Sequence, residues 1–199
     1  MIEAIQKKLE GIYRLPILPQ VRQYLLSPAQ FQSIANAGFD QPQVLYLDEE
    51  TDASVGIYLG KKIFKNITRN NHVFSLQDLC VVAEEVSHFV YLLWSKCNGK
   101  RINLLDLEIQ AEVDKFLITE GMFPDKKSMI EIMFNQIRMR KNLTKDQADR
   151  YWFANRMGKK LAMDWEETKI PFEKKLKWLK FFYRQSPKRR ISMIERGLF

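Results

Sequence analysis

The sequence predicts a mainly α protein, a helical bundle with a central antiparallel helix hairpin and one small β-hairpin. Three observations carry that expectation. Apolar residues recur at three- and four-residue spacing through most of the chain. Capping residues and prolines interrupt the pattern at helix-length intervals. Only residues 43–59 pair two β-rich runs about an acidic turn. The 199 residues are 46% hydrophobic and 28% charged, enough apolar material for a packed core and too much for a disordered chain. Eight glycines and seven prolines exclude fibrous and low-complexity classes.

Ile2, Ile5, Leu9 and Ile12 keep helical spacing, so residues 2–13 form a first helix. Pro16 and Pro19 break the chain, and a short helix starts near Val21. Ser27-Pro28 opens another, which Gly38 ends. Val44–Leu47 and Val55–Leu59 flank the turn Asp48–Asp52 as a hairpin, which must pack on helices to be stable. Residues 61–71 read as a short helix. Ser75 and Asp78 form a capping arrangement ahead of LCVVAEEVSHFVYLLWSKC, and Asn98-Gly99 stops that helix. Asn103 caps the next, LLDLEIQAEVDKFLITEG, and so short a link makes the two antiparallel. Ser128 with Glu131 and Thr144 with Gln147 are capping boxes for two further helices. Pro171 opens a helix to about Arg184, and Ser186-Pro187 opens a final short one.

No segment reaches the ~20 apolar residues that span a bilayer. The start, MIEAIQKKLEGIY, lacks the layout of a secretory signal, so a cytoplasmic location is expected. Cys80 and Cys97 lie 17 residues apart on one expected helix, about 25 Å of rise, too far to bridge each other. Reduced thiols follow.

The net charge of +8 is unevenly placed. Residues 1–120 hold 12 Lys and Arg against 15 Asp and Glu, a net −3, and the remainder hold 20 against 9, a net +11. The shift falls at Gly121–Asp125. The organisation expected is residues 1–121 as a core of helix, β-hairpin and helix hairpin, with residues 122–199 as a basic helical subdomain packed on it.

The central hairpin carries the polar cluster of interest. Leu79, Val82, Val86, Phe89, Val90 and Leu93 form one apolar face, yet Val81, Tyr91 and Leu92 surround His88 on the other. Glu84, Glu85 and His88 therefore sit where ionisable groups are costly unless paired or bound to a cation. On the second helix Glu108, Glu112, Lys115 and Thr119 make one polar stripe between apolar flanks. In one reading this is architecture, with Glu84 and His88 as an i, i+4 pair and Glu108 and Glu112 answering Lys115 across the helix interface.

Glu84-Glu85-Val86-Ser87-His88 also resembles the H-E-x-x-H helix of gluzincins, a zinc protease family, with its first His replaced by Glu. Glu108 follows His88 by 20 residues and Glu112 stands one turn further, a spacing similar to that family's. The resemblance, over roughly residues 80–115, implies Glu84, His88 and Glu108 as ligands of a divalent metal such as zinc. It implies Glu85 as the base of a metal-dependent hydrolase, with Glu112 and Lys115 orienting the ligands from behind. A carboxylate in place of imidazole makes the site harder and more negative, which weakens hydrolysis. Glu85-x-x-His88 matches one half of the ferritin-like di-iron element as well, but His72, the other histidine, has no Glu three residues earlier. EVSHFVYLLW followed by LDLEIQAEVDKF is similar to uncharacterised proteobacterial proteins.

The basic C-terminal helix is the second candidate site. Phe172, Leu176, Leu179 and Tyr183 make an apolar stripe, while Lys174, Lys177, Lys180 and Arg184 lie around it and Lys188, Arg189 and Arg190 follow. These cations suit a phosphate backbone, with Trp178 or Tyr183 stacking on bases, or an anionic lipid surface. Arg138, Arg140, Lys141, Lys159 and Lys160 extend the basic set. No Gly-rich phosphate loop, Cys-x-x-Cys or G-x-S-x-G elbow is present. The function expected is binding, to a protein or a polyanion (nucleic acid or anionic surface), without robust catalysis.

Overall fold

A computed structural model of the chain describes residues 1–35, 40–48, 53–69, 74–122, 126–136 and 143–197. Within them the protein is mainly α with one two-stranded sheet. Helix α1 (Ile2–Tyr13) is followed by a 3-10 turn at Val21–Tyr24 and by α2 (Pro28–Ala35). Strands β1 (Gln43–Asp48) and β2 (Ala53–Tyr58) pair antiparallel, from Gln43 opposite Tyr58 to Asp48 opposite Ala53. Then come α3 (Lys61–Thr68), the central pair α4 (Leu76–Cys97) and α5 (Leu104–Thr119), and a 3-10 turn at Glu120–Met122. Helices α6 (Lys126–Asn135), α7 (Lys145–Glu167), α8 (Phe172–Tyr183) and α9 (Pro187–Glu195) complete the chain. The expected stop at Gly38 and the tip of the hairpin turn lie outside the described residues. Among those residues no helix is long and apolar enough to cross a membrane.

Local chemistry sets the ends of the central elements. Ser75 Oγ accepts from the Asp78 amide at 3.1 Å while the Asp78 carboxylate accepts from the Ser75 amide at 3.2 Å, a reciprocal cap that fixes the start of α4. Gly99, at φ +60°, takes the left-handed turn that ends it. Asn103 Oδ1 then accepts from the Leu105 amide at 2.9 Å, so α5 returns antiparallel. Thr144 and Gln147 cap α7 in the same reciprocal way. The Ser128 box is not a helix start. Helix α6 begins at Lys126, so Ser128 already lies inside it, and the Glu131 carboxylate accepts from Asn135 one turn on.

The α4–α5 hairpin is enclosed by the rest. Ile2, Ile5, Leu9 and Tyr13 seat α1 against α4 and α8. Helix α7 lies along α5, and Gly158 makes the approach possible: a Cβ there would stand 2.6 Å from Glu112 Cβ and 2.9 Å from Phe134 Cε1. The β-hairpin leans on α4 and is anchored by Leu26, whose amide donates to the Ile57 carbonyl at 2.8 Å. Phe31 of α2 stacks on Tyr58 with ring centres 4.0 Å apart, closing that end of the core. The cysteines are both on α4 and both free.

Candidate functional site: a cleft over the α4–α5 polar cluster

Helical phase divides the polar residues of α5 between two sides. At 100° per residue, Asp106, Gln110 and Asp114 fall on one side, while Glu108, Glu112 and Lys115 fall on the other. The two sets have different surroundings.

On the second side, Lys115 Nζ donates to Glu112 Oε1 at 2.8 Å and to Glu84 Oε2 at 3.1 Å. Burial works against the ammonium, but the Glu112 and Glu84 carboxylates outweigh it and hold Lys115 charged, its pKa above the ordinary lysine value. Glu112 itself is pushed up, by burial first. One turn away His88, 12% exposed, lies between two carboxylates. Its Nδ1 is 3.6 Å from Glu85 Oε2 and its Nε2 3.6 Å from Glu108 Oε2, ion-pair distances a little long for hydrogen bonds. Burial lowers the imidazole pKa, and Glu108 and Glu85 raise it further than that, to about 10. The two carboxylates therefore favour the protonated imidazole, which offers no lone pair.

The Glu84, His88 and Glu108 trio is not assembled as a cation site. Glu84 is paired to Lys115, and Glu85 takes the place beside His88. Among the described residues no three His, Cys, Asp or Glu side chains are placed to hold a metal ion. As placed, the donor set does not fit a bound zinc, and Glu85 is buried beside His88. His88 stands beside Glu85 and Glu108, and Glu84 beside Lys115. The Lys115 bridge to Glu112 is as the stripe predicts. His72 lies outside the described residues.

Glu85, His88 and Glu108 line an open cleft of about 1010 Å³. Val44 and Tyr46 of β1, Leu92 of α4, Ile102 of the α4–α5 link, Leu107 of α5, and Gln147 of α7 also line it. Tyr46 brings a hydroxyl that is shielded from solvent and has no hydrogen-bond partner among the described residues. Its alternation with Val44 and Leu47 marks it only as a strand residue, so nothing local signals the role.

The first side of α5 is a closed network. Tyr13 and Ser87 each donate to Asp114 at 2.5 Å, and Gln110 Nε2 donates to Asp114 Oδ1 at 2.8 Å and to the Tyr13 hydroxyl at 2.9 Å. Arg190, wholly buried, donates to Asp106 and to the Gln110 side-chain oxygen, and Tyr91 donates to Asp106. Phe182 packs 4.4 Å beneath the guanidinium. This corrects the expected phosphate-binding set: Arg190 ties α9 to the core and meets no solvent. Tyr183 is buried too, stacked on Tyr13 at 4.1 Å, and Trp178 stacks on Phe182 at 4.9 Å. Lys174, Lys177, Arg184, Lys188 and Arg189 are exposed and Lys180 is partly so. Lys160 is paired to Asp164 and Lys159 donates to Asn135, while Arg138, Arg140 and Lys141 lie outside the described residues. The i, i+4, i+8 spacing of Asp106, Gln110 and Asp114 in an apolar helix was the signal that could have located this network.

Comparison with models of known protein families, with curated proteins and with solved structures finds no match to this chain.

Proposed function

We propose that this is a cytoplasmic binding protein, and that it takes a small polar organic ligand in the cleft over Glu85, His88 and Glu108. The observation that carries the reading is the His88 ring standing 3.6 Å from each of two carboxylates in the lining of a roughly 1010 Å³ cleft. Ionisable groups in a cleft, strongly shifted by burial and by named partners, mark candidate ligand sites. The cleft also supplies the shielded Tyr46 hydroxyl and the apolar Val44, Ile102 and Leu107, a lining that orients a polar molecule against an apolar wall. The upward push that Glu108 and Glu85 give the imidazole supports binding over proton abstraction.

The test is an NMR screen of small polar molecules against the full chain. Hits are expected to concentrate on resonances of Tyr46, His88 and Ile102. They are expected to disappear in Leu104→Trp, which narrows the cleft from a largely exposed position. An absence of hits, or hits indifferent to Leu104→Trp, would overturn the reading.

A further inference from the structure

The outward face of α8 is independent of the cleft. Leu179, Phe182 and Tyr183 turn into the core, so the opposite side of the helix carries Lys174, Lys177, Phe181 and Arg184. Phe181 is 46% exposed, and it stands among cations. Arg189 of α9 lies over its ring, 5.2 Å from the centre, and Lys177 and Arg184 are one turn before it and after it. Arg14 joins from α1. It occupies the left-handed region at φ 48°, unusual for a residue with a side chain, and its carbonyl accepts from Arg184 Nη2 at 3.3 Å. Lys100 Nζ, from the α4–α5 link, donates to the Arg184 carbonyl at 2.7 Å. Four separate segments therefore bring positive charge to one place. Partial burial and then Arg14, Arg184 and Lys177 lower the Lys180 pKa, the mark of cations crowded together. Among the described residues none of Arg14, Lys177, Lys180, Arg184 and Arg189 is ion-paired to a carboxylate.

We infer that this face binds single-stranded nucleic acid, with phosphates on Lys177, Lys180, Arg184, Arg189 and Arg14 and a base stacked on Phe181. A lipid surface fits less well. An interfacial helix buries a whole apolar face among acyl chains, and Leu179, Phe182 and Tyr183 of α8 are already used by the core. What the outward face presents, the exposed Phe181 ring among cations without a carboxylate partner among the described residues, suits an unpaired base and its phosphates. Paired bases offer that ring no stacking surface.

Fluorescence anisotropy of a labelled single strand of about 16 nucleotides, titrated with the full chain at about 50 mM salt, reads this directly. Binding is expected to weaken with salt along a log–log slope of about −3, as for four or five phosphate contacts. Phe181→Ala is expected to lower single-strand affinity about tenfold while leaving duplex affinity and the salt slope unchanged. Lys177→Gln with Arg184→Gln is expected to make the slope shallower by about 1.4. All three positions are at the surface, and circular dichroism confirms that the variants keep their helix content. No binding at low salt would overturn the inference, as would a single-strand affinity indifferent to Phe181→Ala. Tighter binding to phosphatidylserine–phosphatidylcholine vesicles than to the strand would overturn it in favour of a membrane.

Discussion

The two sides of α5 hold similar chemistry in different settings, and the contrast separates architecture from a site. Toward α1 and α9, Asp106 and Asp114 are met by Arg190, Gln110, Tyr13, Tyr91 and Ser87, and the whole group is sealed from water. Toward the cleft, His88 stands 3.6 Å from each of its carboxylates and the group borders open space. A buried network with this many hydrogen bonds specifies one packing. A looser one beside a cleft keeps room to exchange partners. Ionisable residues on a central helix are therefore informative only together with what covers them.

Breaking the closed side has the largest expected effect. Arg190→Ala leaves Asp106 buried without its cation and is expected to cost about 3–5 kcal/mol in chemical denaturation. Glu108→Gln on the cleft side leaves His88 with Glu85 and is expected to cost about 1–2 kcal/mol. Equal losses would abolish the distinction drawn between the two sides.

The same two sides titrate in separate windows. His88 is raised from 6.5 to about 10, so the stability its proton contributes is complete below pH 6.5 and is lost as pH rises through about 10. Asp114 is raised from 3.8 to about 6 by burial, against the pull of Ser87, Tyr13, Gln110 and Arg190. The folded form therefore holds the Asp114 proton more tightly than the unfolded chain, and stability falls as pH rises from about 3.8 through about 6. Each slope is at most about 1.4 kcal/mol per pH unit. Urea midpoints measured across pH are expected to lose the upper decline in His88→Gln and the lower one in Asp114→Asn. A single shared window would merge the two networks.

The helix pattern was legible because it is local. The caps at Ser75, Asn103 and Thr144 and the stop at Asn98-Gly99 are set by residues within a turn of each other. The site was legible as a cluster but not in its pairings. Glu84 and Glu85 are adjacent and differ by 100° on the helix, and only the positions of Lys115 and His88 across the interface decide which carboxylate meets which cation. Arg190 was the hardest to place. Lys188-Arg189-Arg190 reads as one basic run, yet Arg190 shares the inward phase of α9 with Ile194, and its acceptors Asp106 and Gln110 lie 84 and 80 residues earlier. The sequence does not separate Phe181 from Trp178 and Tyr183, because the inward face of α8 is fixed by α1 and α9 rather than by the helix itself.

Gly158 tests the boundary between the two sides from a third helix. Gly158→Ala puts a methyl 2.6 Å from Glu112 Cβ, which is too close to the α5 backbone to swing aside. Helix α7 must shift outward, and a loss of about 1–3 kcal/mol is expected by thermal or chemical denaturation. Because Glu112 holds Lys115, the shift is expected to move the His88 resonance while the Tyr13 ring signals stay in place. A gain in stability, as Ala for Gly gives in an unconstrained helix, would show that α5 and α7 are not in close contact there.

The smallest expected effect concerns the rim of the cleft. Thr144 Oγ1 accepts from the Gln147 amide at 3.2 Å, and Gln147 Oε1 accepts from the Thr144 amide at 2.9 Å, so a residue lining the cleft is held by the cap of α7. Thr144→Ala removes one of those bonds and frees the first turn, at a cost of about 1 kcal/mol. Asn103→Ala at the start of α5 removes a cap of similar strength beside Asp106, on the sealed side. In hydrogen exchange, Thr144→Ala is expected to lose protection only in the first turn of α7. Asn103→Ala is expected to lower protection across α4 and α5 together, because Asp106 couples that end to Tyr91 and Arg190. Local loss at both positions would mean that the closed network is no more cooperative than the cleft.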